Sequence, residues 1–121
     1  MRFMIFVRAT KSSESGVMPT QELMDAMGKF NQELIAAGIM QDGGGLKPSS
    51  KGARVTFSGK ERRVRMGPFK TSKLISGYWI WNCSSLEEAI SWVKRAPNPM
   101  PEESKIEIRQ FYENEDFAPQ K

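Results

Sequence analysis

The chain has 121 residues, with 18 Lys and Arg against 14 Asp and Glu and a formal net charge of +4. That length suits one domain with a real core, and the charge permits an anionic partner without requiring one. With no histidine and a single cysteine, it has no internal disulfide, no Ser-His or Cys-His nucleophile and no ordinary zinc site. Proton transfer is left to Asp, Glu, Lys, Tyr or the backbone. Charges interrupt every apolar run, so neither a signal peptide nor a membrane span is expected. Cys83 lies in an apolar run and reads as a reduced core residue. Together these features point to the cytoplasm, with no cofactor and no membrane partner.

In chain order, "RFMIFVRA" (2–9) reads as a strand with Phe3, Ile5 and Val7 on one face and Met4 and Phe6 on the other. A polar loop, "KSSESGVMP", follows. Thr20 is placed to cap a helix in which Leu23, Met27, Phe30 and Leu34 recur at helical spacing, widened by Met24 and Ile35 and stopped at Gly38. "IMQDGGGLKP" (39–48) is a glycine-weakened strand, and its three glycines predict a bulge or a close approach to the backbone. "ARVTFSGKERRVRM" is a hairpin turning at Ser-Gly. "KLISGYWIWNC" is a long strand apolar on both faces. Leu74, Tyr78 and Ile80 point one way, and Ile75, Trp79 and Trp81 the other. Ser85 and Glu88 form a capping box for a helix with Leu86, Ala89, Ile90 and Val93 as its core stripe, ended by Pro97. "KIEIRQFY" (105–112) is the last strand. Residues 1–112 form the domain and 113–121 a loosely held tail.

With the hairpin set aside, the order is β-α-β-β-α-β. This is an α+β, ferredoxin-like sheet with both helices on one face. Two helices cover one face only. Met4, Phe6 and the tryptophans matched to them would then be left wet, at about 1.5–3 kcal/mol for each large side chain. A second copy packed sheet to sheet about a two-fold axis resolves this, so the expected partner is the chain itself; the alternative is a monomer whose hairpin and tail fold over the open face.

"MGPF" (66–69) followed by "GYWIW" (77–81) resembles the YCII-related, or DGPF-domain, family. The likeness extends through "ATKSSESGVMP", "MGKFNQELIAAGIM", "LKPSSKGARVTFSG", "LEEAISWVKRAPNPMP" and "IEIRQFYENEDF". It implies a dimeric α+β barrel with a cleft between sheet and helices in each subunit, and no settled activity. Four departures fall where acid–base groups would be expected. Met66 stands for the aspartate of "DGPF", and "KTSK" (70–73) for acidic residues after the turn. Gly44 replaces a glutamate between glycines, and Lys47 a histidine before "PSS".

The favoured function is therefore binding of a small, anionic molecule. The candidate cleft comprises Arg8, Asp42, Gly44, Lys47, the turn Met66, Gly67, Pro68 and Phe69, and then Lys73 and Tyr78. Lys47 and Lys73 supply positive charge, Gly67 and Pro68 a fixed backbone path, and Phe69 an inward anchor. An enzyme doing proton transfer or isomerisation is the second reading, with Tyr78 as proton donor and Asp42 as carboxylate. A regulatory or interaction protein is the third. The basic hairpin residues Lys60, Arg62, Arg63 and Arg65 read as a solvated strand edge, and nucleic acid is not an expected partner.

Overall fold

The structure, a computed structural model, describes residues 1–117. Residues 118–121 of the expected tail lie outside the described residues. Strands β1 (Arg2–Arg8), β2 (Met40–Gly45), β5 (Ile75–Asn82) and β6 (Ile106–Gln110) form one four-stranded sheet in the order β2-β5-β1-β6. Every pairing in it is antiparallel. The hairpin β3 (Ala53–Ser58) and β4 (Glu61–Met66) is a separate two-stranded sheet. With helices α2 (Gln21–Ala36) and α3 (Leu86–Arg95) connecting the strands, this is the expected ferredoxin-like arrangement. The loop before α2 holds an element the sequence reading missed, the short helix α1 (Lys11–Glu14), closed by a reciprocal capping box between Thr10 and Ser13.

Both long helices start where their caps predict. Thr20 Oγ1 accepts from Leu23 N at 3.1 Å, and Ser85 Oγ from Glu88 N at 3.1 Å. Glu88 reaches back one residue further than a capping box requires, accepting from Ser84 N at 3.0 Å. The α3 stripe is corrected. Ala89 is buried and Trp92, Val93 and Ala96 pack against the core, whereas Leu86 and Ile90 are exposed. Trp92 takes the space that Ile90 was expected to fill, because positions 89, 92, 93 and 96 make the tighter helical face.

The core lies between the sheet and these helices. Trp81, Phe3, Ile5 and Leu34 are its largest fully buried side chains. Phe30 on α2 meets Trp79 and Trp81 edge-on, at centroid distances of 6.0 and 6.3 Å. Asn31 accepts from Trp79 Nε1 at 2.9 Å, and Arg95 on α3 pairs with Glu33 on α2 at 2.9 Å. Met24 and Ile35, expected to widen the α2 stripe, are exposed.

Register corrects the assignment of faces. Phe3 sits opposite Trp81 and Ile5 opposite Trp79, so the tryptophans share the helix-covered face. Directly opposed residues in a sheet point to the same side. The face without helices carries Met4 opposite Ile80 and Phe6 opposite Tyr78, all half-buried in the single chain. A register shift at Val7/Arg8 also takes Ile75 out of line with Trp79. In β2 the expected bulge falls between Met40 and Asp42. The close approach at the glycines comes from within the chain, since a Cβ on Gly43 would lie 2.9 Å from Trp79 Cδ1.

Candidate functional site

A hollow of about 470 Å³ opens where β5 begins, lined by Lys47, Phe69 and Lys73 together with Glu14, Ser49 and Arg54. Its frame is a hydrogen-bonded node between distant segments. The Glu14 carboxylate, at the end of α1, accepts from Ser49 N at 2.9 Å and also from Ser49 Oγ. Ser49 Oγ in turn accepts from Phe69 N at 2.9 Å. A charged acceptor strengthens such a bond, and the chain of bonds fixes α1, the 46–52 loop and the turn relative to one another.

The turn is held by shape as well. Gly67 and Pro68 are joined by a cis peptide bond. Gly67 N donates to Gly52 O at 3.0 Å, and a Cβ at this glycine would lie 1.8 Å from Ser49 O. No other residue type fits there without a backbone shift. Phe69 is half-buried rather than a fully inward anchor. Its ring forms part of the wall, with the Arg54 guanidinium 3.9 Å and that of Arg65 5.6 Å from its centroid.

Charge in this hollow is unbalanced. Lys47, Lys73 and Arg54 take part in none of the ion pairs among the described residues. Glu14 is the one carboxylate on the wall, and it is engaged by Ser49.

The other expected site residues lie elsewhere. Arg8 borders a separate hollow of about 300 Å³ with Ser72, Glu103 and Lys105. There it is paired with Glu107 at 3.1 Å and donates to Ser72 O at 2.7 Å. Tyr78 and Gly44 are neighbours on the helix-free sheet face, where a Cβ on Gly44 would meet the tyrosine ring at 3.5 Å. Asp42 is exposed, and its carboxylate accepts from Gly43 N at 2.8 Å within the bulge. Met66 is 66% exposed at the end of β4, off the wall of the hollow. Glu14 and Ser49 went unread because their partners are 20 or more residues away in sequence, and Arg54 because its partner Phe69 is 15 residues on, across the hairpin. The one local hint was the serine pair of "KPSSKG".

Away from the hollow, burial and the negative charge of Glu88 push the Cys83 thiol from 9.0 up to about 11, which makes it an inert core group. Among the described residues no three His, Cys, Asp or Glu side chains gather as metal ligands. No helix among them is long and apolar enough to cross a membrane.

The sheet order, the covering helices and the cation-lined hollow define a ferredoxin-like α+β protein with a small-molecule-sized recess. The model of the YCII-related domain matches residues 1–113, and the chain belongs to the YCII-related family. It is 26% identical over 90 residues to an uncharacterized protein from Rhizobium meliloti (strain 1021), covering 74% of this chain and 73% of that one. Its fold is similar to that of 5-chloro-2-hydroxyhydroquinone dehydrochlorinase from Burkholderia phenoliruptrix AC1100, solved in complex with 2,5-dihydroxybenzoquinone. That match has a TM-score of 0.55 and 14% identity, and covers 95% of this chain and 97% of the other.

Proposed function

We propose that the protein binds a small anionic molecule in the hollow between Lys47, Arg54 and Lys73, and that it does so as a homodimer. The observation that carries the binding reading is the set of three cations, unpaired among the described residues, around a wall with one engaged carboxylate. Cations held together by a fixed frame repel one another, and an anion between them relieves that repulsion. Phe69 adds an apolar surface for a flat ring. A planar acid is therefore the class of ligand, and dihydroxybenzoquinones, the class bound by the structural neighbour, are the first compounds to try.

The homodimer rests on the helix-free sheet face. Met4, Phe6, Tyr78 and Ile80 make an apolar strip there that a second sheet would cover. The single buried cysteine suits a reducing compartment, and the cytoplasm is the location this reading assigns.

Titration calorimetry with 2,5-dihydroxybenzoquinone and a panel of aromatic acids tests the binding reading. Binding that weakens at least tenfold in Lys47→Ala and Lys73→Ala, and weakens with added salt, is the expected result. Affinity unchanged in both variants would move the ligand elsewhere. Light scattering at micromolar protein tests assembly, with twice the chain mass expected.

A further inference from the structure

The hairpin is the least accounted-for part of the molecule. All twelve residues of its two strands are exposed. Its register sorts them into unlike faces. Ala53 opposite Met66, Val55 opposite Val64 and Phe57 opposite Arg62 make one face, and Arg54 opposite Arg65 and Thr56 opposite Arg63 make the other. On the first face Val55 is 51%, Phe57 73%, Val64 66% and Met66 66% exposed. This is a contiguous apolar strip on the order of a few hundred Å², the size that marks an interface. At its tip the Arg62 guanidinium lies 4.6 Å from the Phe57 centroid, with Lys60 beside it in the turn.

A second exposed group has the complementary chemistry. After β6 the chain makes a short turn at Asn114–Phe117. Tyr112 and Phe117, 74% and 71% exposed, pack there with centroids 5.2 Å apart and rings tilted at 41°, and Glu115 and Asp116 between them are also exposed. One group is an aromatic ring with cations, and the other is two aromatic rings with carboxylates.

These groups leave the sheet at opposite ends of its strands. The hairpin leaves the sheet where Gly45 faces Gly77, beside Val7 at the end of β1. The C-terminal turn leaves where Gln110 faces Phe3 and Arg2 faces Asn82. A two-fold axis that reverses one sheet over another brings each hairpin to its partner's C-terminal end. Reach is sufficient, since the six residues of β3 extend about 20 Å, against the roughly 10 Å that separates two sheets packed face to face.

We propose that the hairpin is a clasp that lies on a second copy of this chain. Its Phe57/Arg62 tip seats against the partner's aromatic and acidic C-terminal turn. Area favours the same occupant. A stable interface buries roughly 800 Å² per partner, and a hairpin strip on the order of a few hundred Å² adds to what Met4, Phe6, Tyr78 and Ile80 offer on the sheet. The inference rests on the homodimer proposed above. It goes further by stating which segments meet.

Cross-linking of the full chain separates the two claims. Phe57→Cys and Phe117→Cys are purified separately, mixed, allowed to exchange and treated with a short bis-maleimide. The buried Cys83 is silent, and the unaltered chain is the control. A 57-to-117 link between copies is expected. Lys60→Glu is expected to raise the dimer dissociation constant about tenfold, and a second change, Glu115→Lys, to restore it. A dimer with no such link, or a link formed within one chain in the double-cysteine variant, overturns the clasp and leaves the homodimer standing. A chain that scatters as a monomer overturns both.

Discussion

The four-stranded sheet and the hairpin both place apolar residues at alternate positions of a strand, yet those residues end in opposite environments. In β5 alternate residues Gly77, Trp79 and Trp81 are buried under helices. In β3 Ala53, Val55 and Phe57 recur with the same period, and every residue of both hairpin strands is exposed. Period-2 patterning therefore says that a segment has two unlike faces. It does not say what lies against either. In the sheet, stability comes from helices that the same chain supplies. In the hairpin the apolar face has no such cover, and its partner has to be looked for outside the chain.

The largest test of that contrast is in the sheet. Trp81→Ala removes a fully buried side chain and is expected to cost about 3–5 kcal/mol in denaturant unfolding. A cost under about 1 kcal/mol would mean that the face assignment is wrong. Next is the joint between the regions. Gly67→Ala puts a methyl group 1.8 Å from Ser49 O, so about 1–3 kcal/mol should be lost as the turn moves. Fast hydrogen exchange at the Phe69 amide should accompany it, because its acceptor is Ser49 Oγ. A variant that melts like the parent with that amide still protected would show that the contact is slack. Phe69→Ala, in the wall of the hollow, is expected to cost about 1–2 kcal/mol, less than a core aromatic because the ring is half-buried.

A pH scan gives a smaller effect on the sheet side. The folded protein holds the Cys83 proton up to about 11, whereas an exposed thiol releases it near 9.0. Stability from this group is complete below pH 9 and is lost as pH rises toward 11. Cys83→Ala should flatten that part of the melting-temperature profile, and an unchanged slope would assign it to other groups. The smallest effect belongs to the hairpin. In the dissociated chain Phe57→Ser should change unfolding free energy by no more than about 1 kcal/mol, since the ring is 73% exposed and loses little beyond its contact with the exposed Arg62 guanidinium. A larger loss would reveal a second intrachain contact for that ring.

Much of the fold was legible because it is local. Thr20 and Ser85 announce their helices, the glycines announce the bulge in β2, and the Ser-Gly turn announces the hairpin. What failed depended on register. With Met4 and Phe6 on one side of β1 and Phe3 and Ile5 on the other, both faces look apolar, and only the pairing of Phe3 with Trp81 decides which one the tryptophans join. The site was read less completely for the same reason. Phe69 and Lys73 were found because they stand at one turn and Lys47 because it follows the glycine strand, and the structure puts all three in one hollow. Arg8, Asp42 and Tyr78 were assigned to it on sequence grounds and lie elsewhere. The Glu14–Ser49–Phe69 node spans three separated segments, and no periodicity encodes it.

The clustering of indoles also governs how the molecule can be watched. All three tryptophans, at 79, 81 and 92, surround Phe30, and the Trp79 and Trp81 rings lie 5.6 Å apart at 40°. Ultraviolet emission and the circular dichroism of coupled indoles therefore report the helix-covered core. The hairpin and the hollow contain no tryptophan and are optically dark. A fluorescence melt can look fully native while the arm is displaced, so the arm has to be followed by a label of its own.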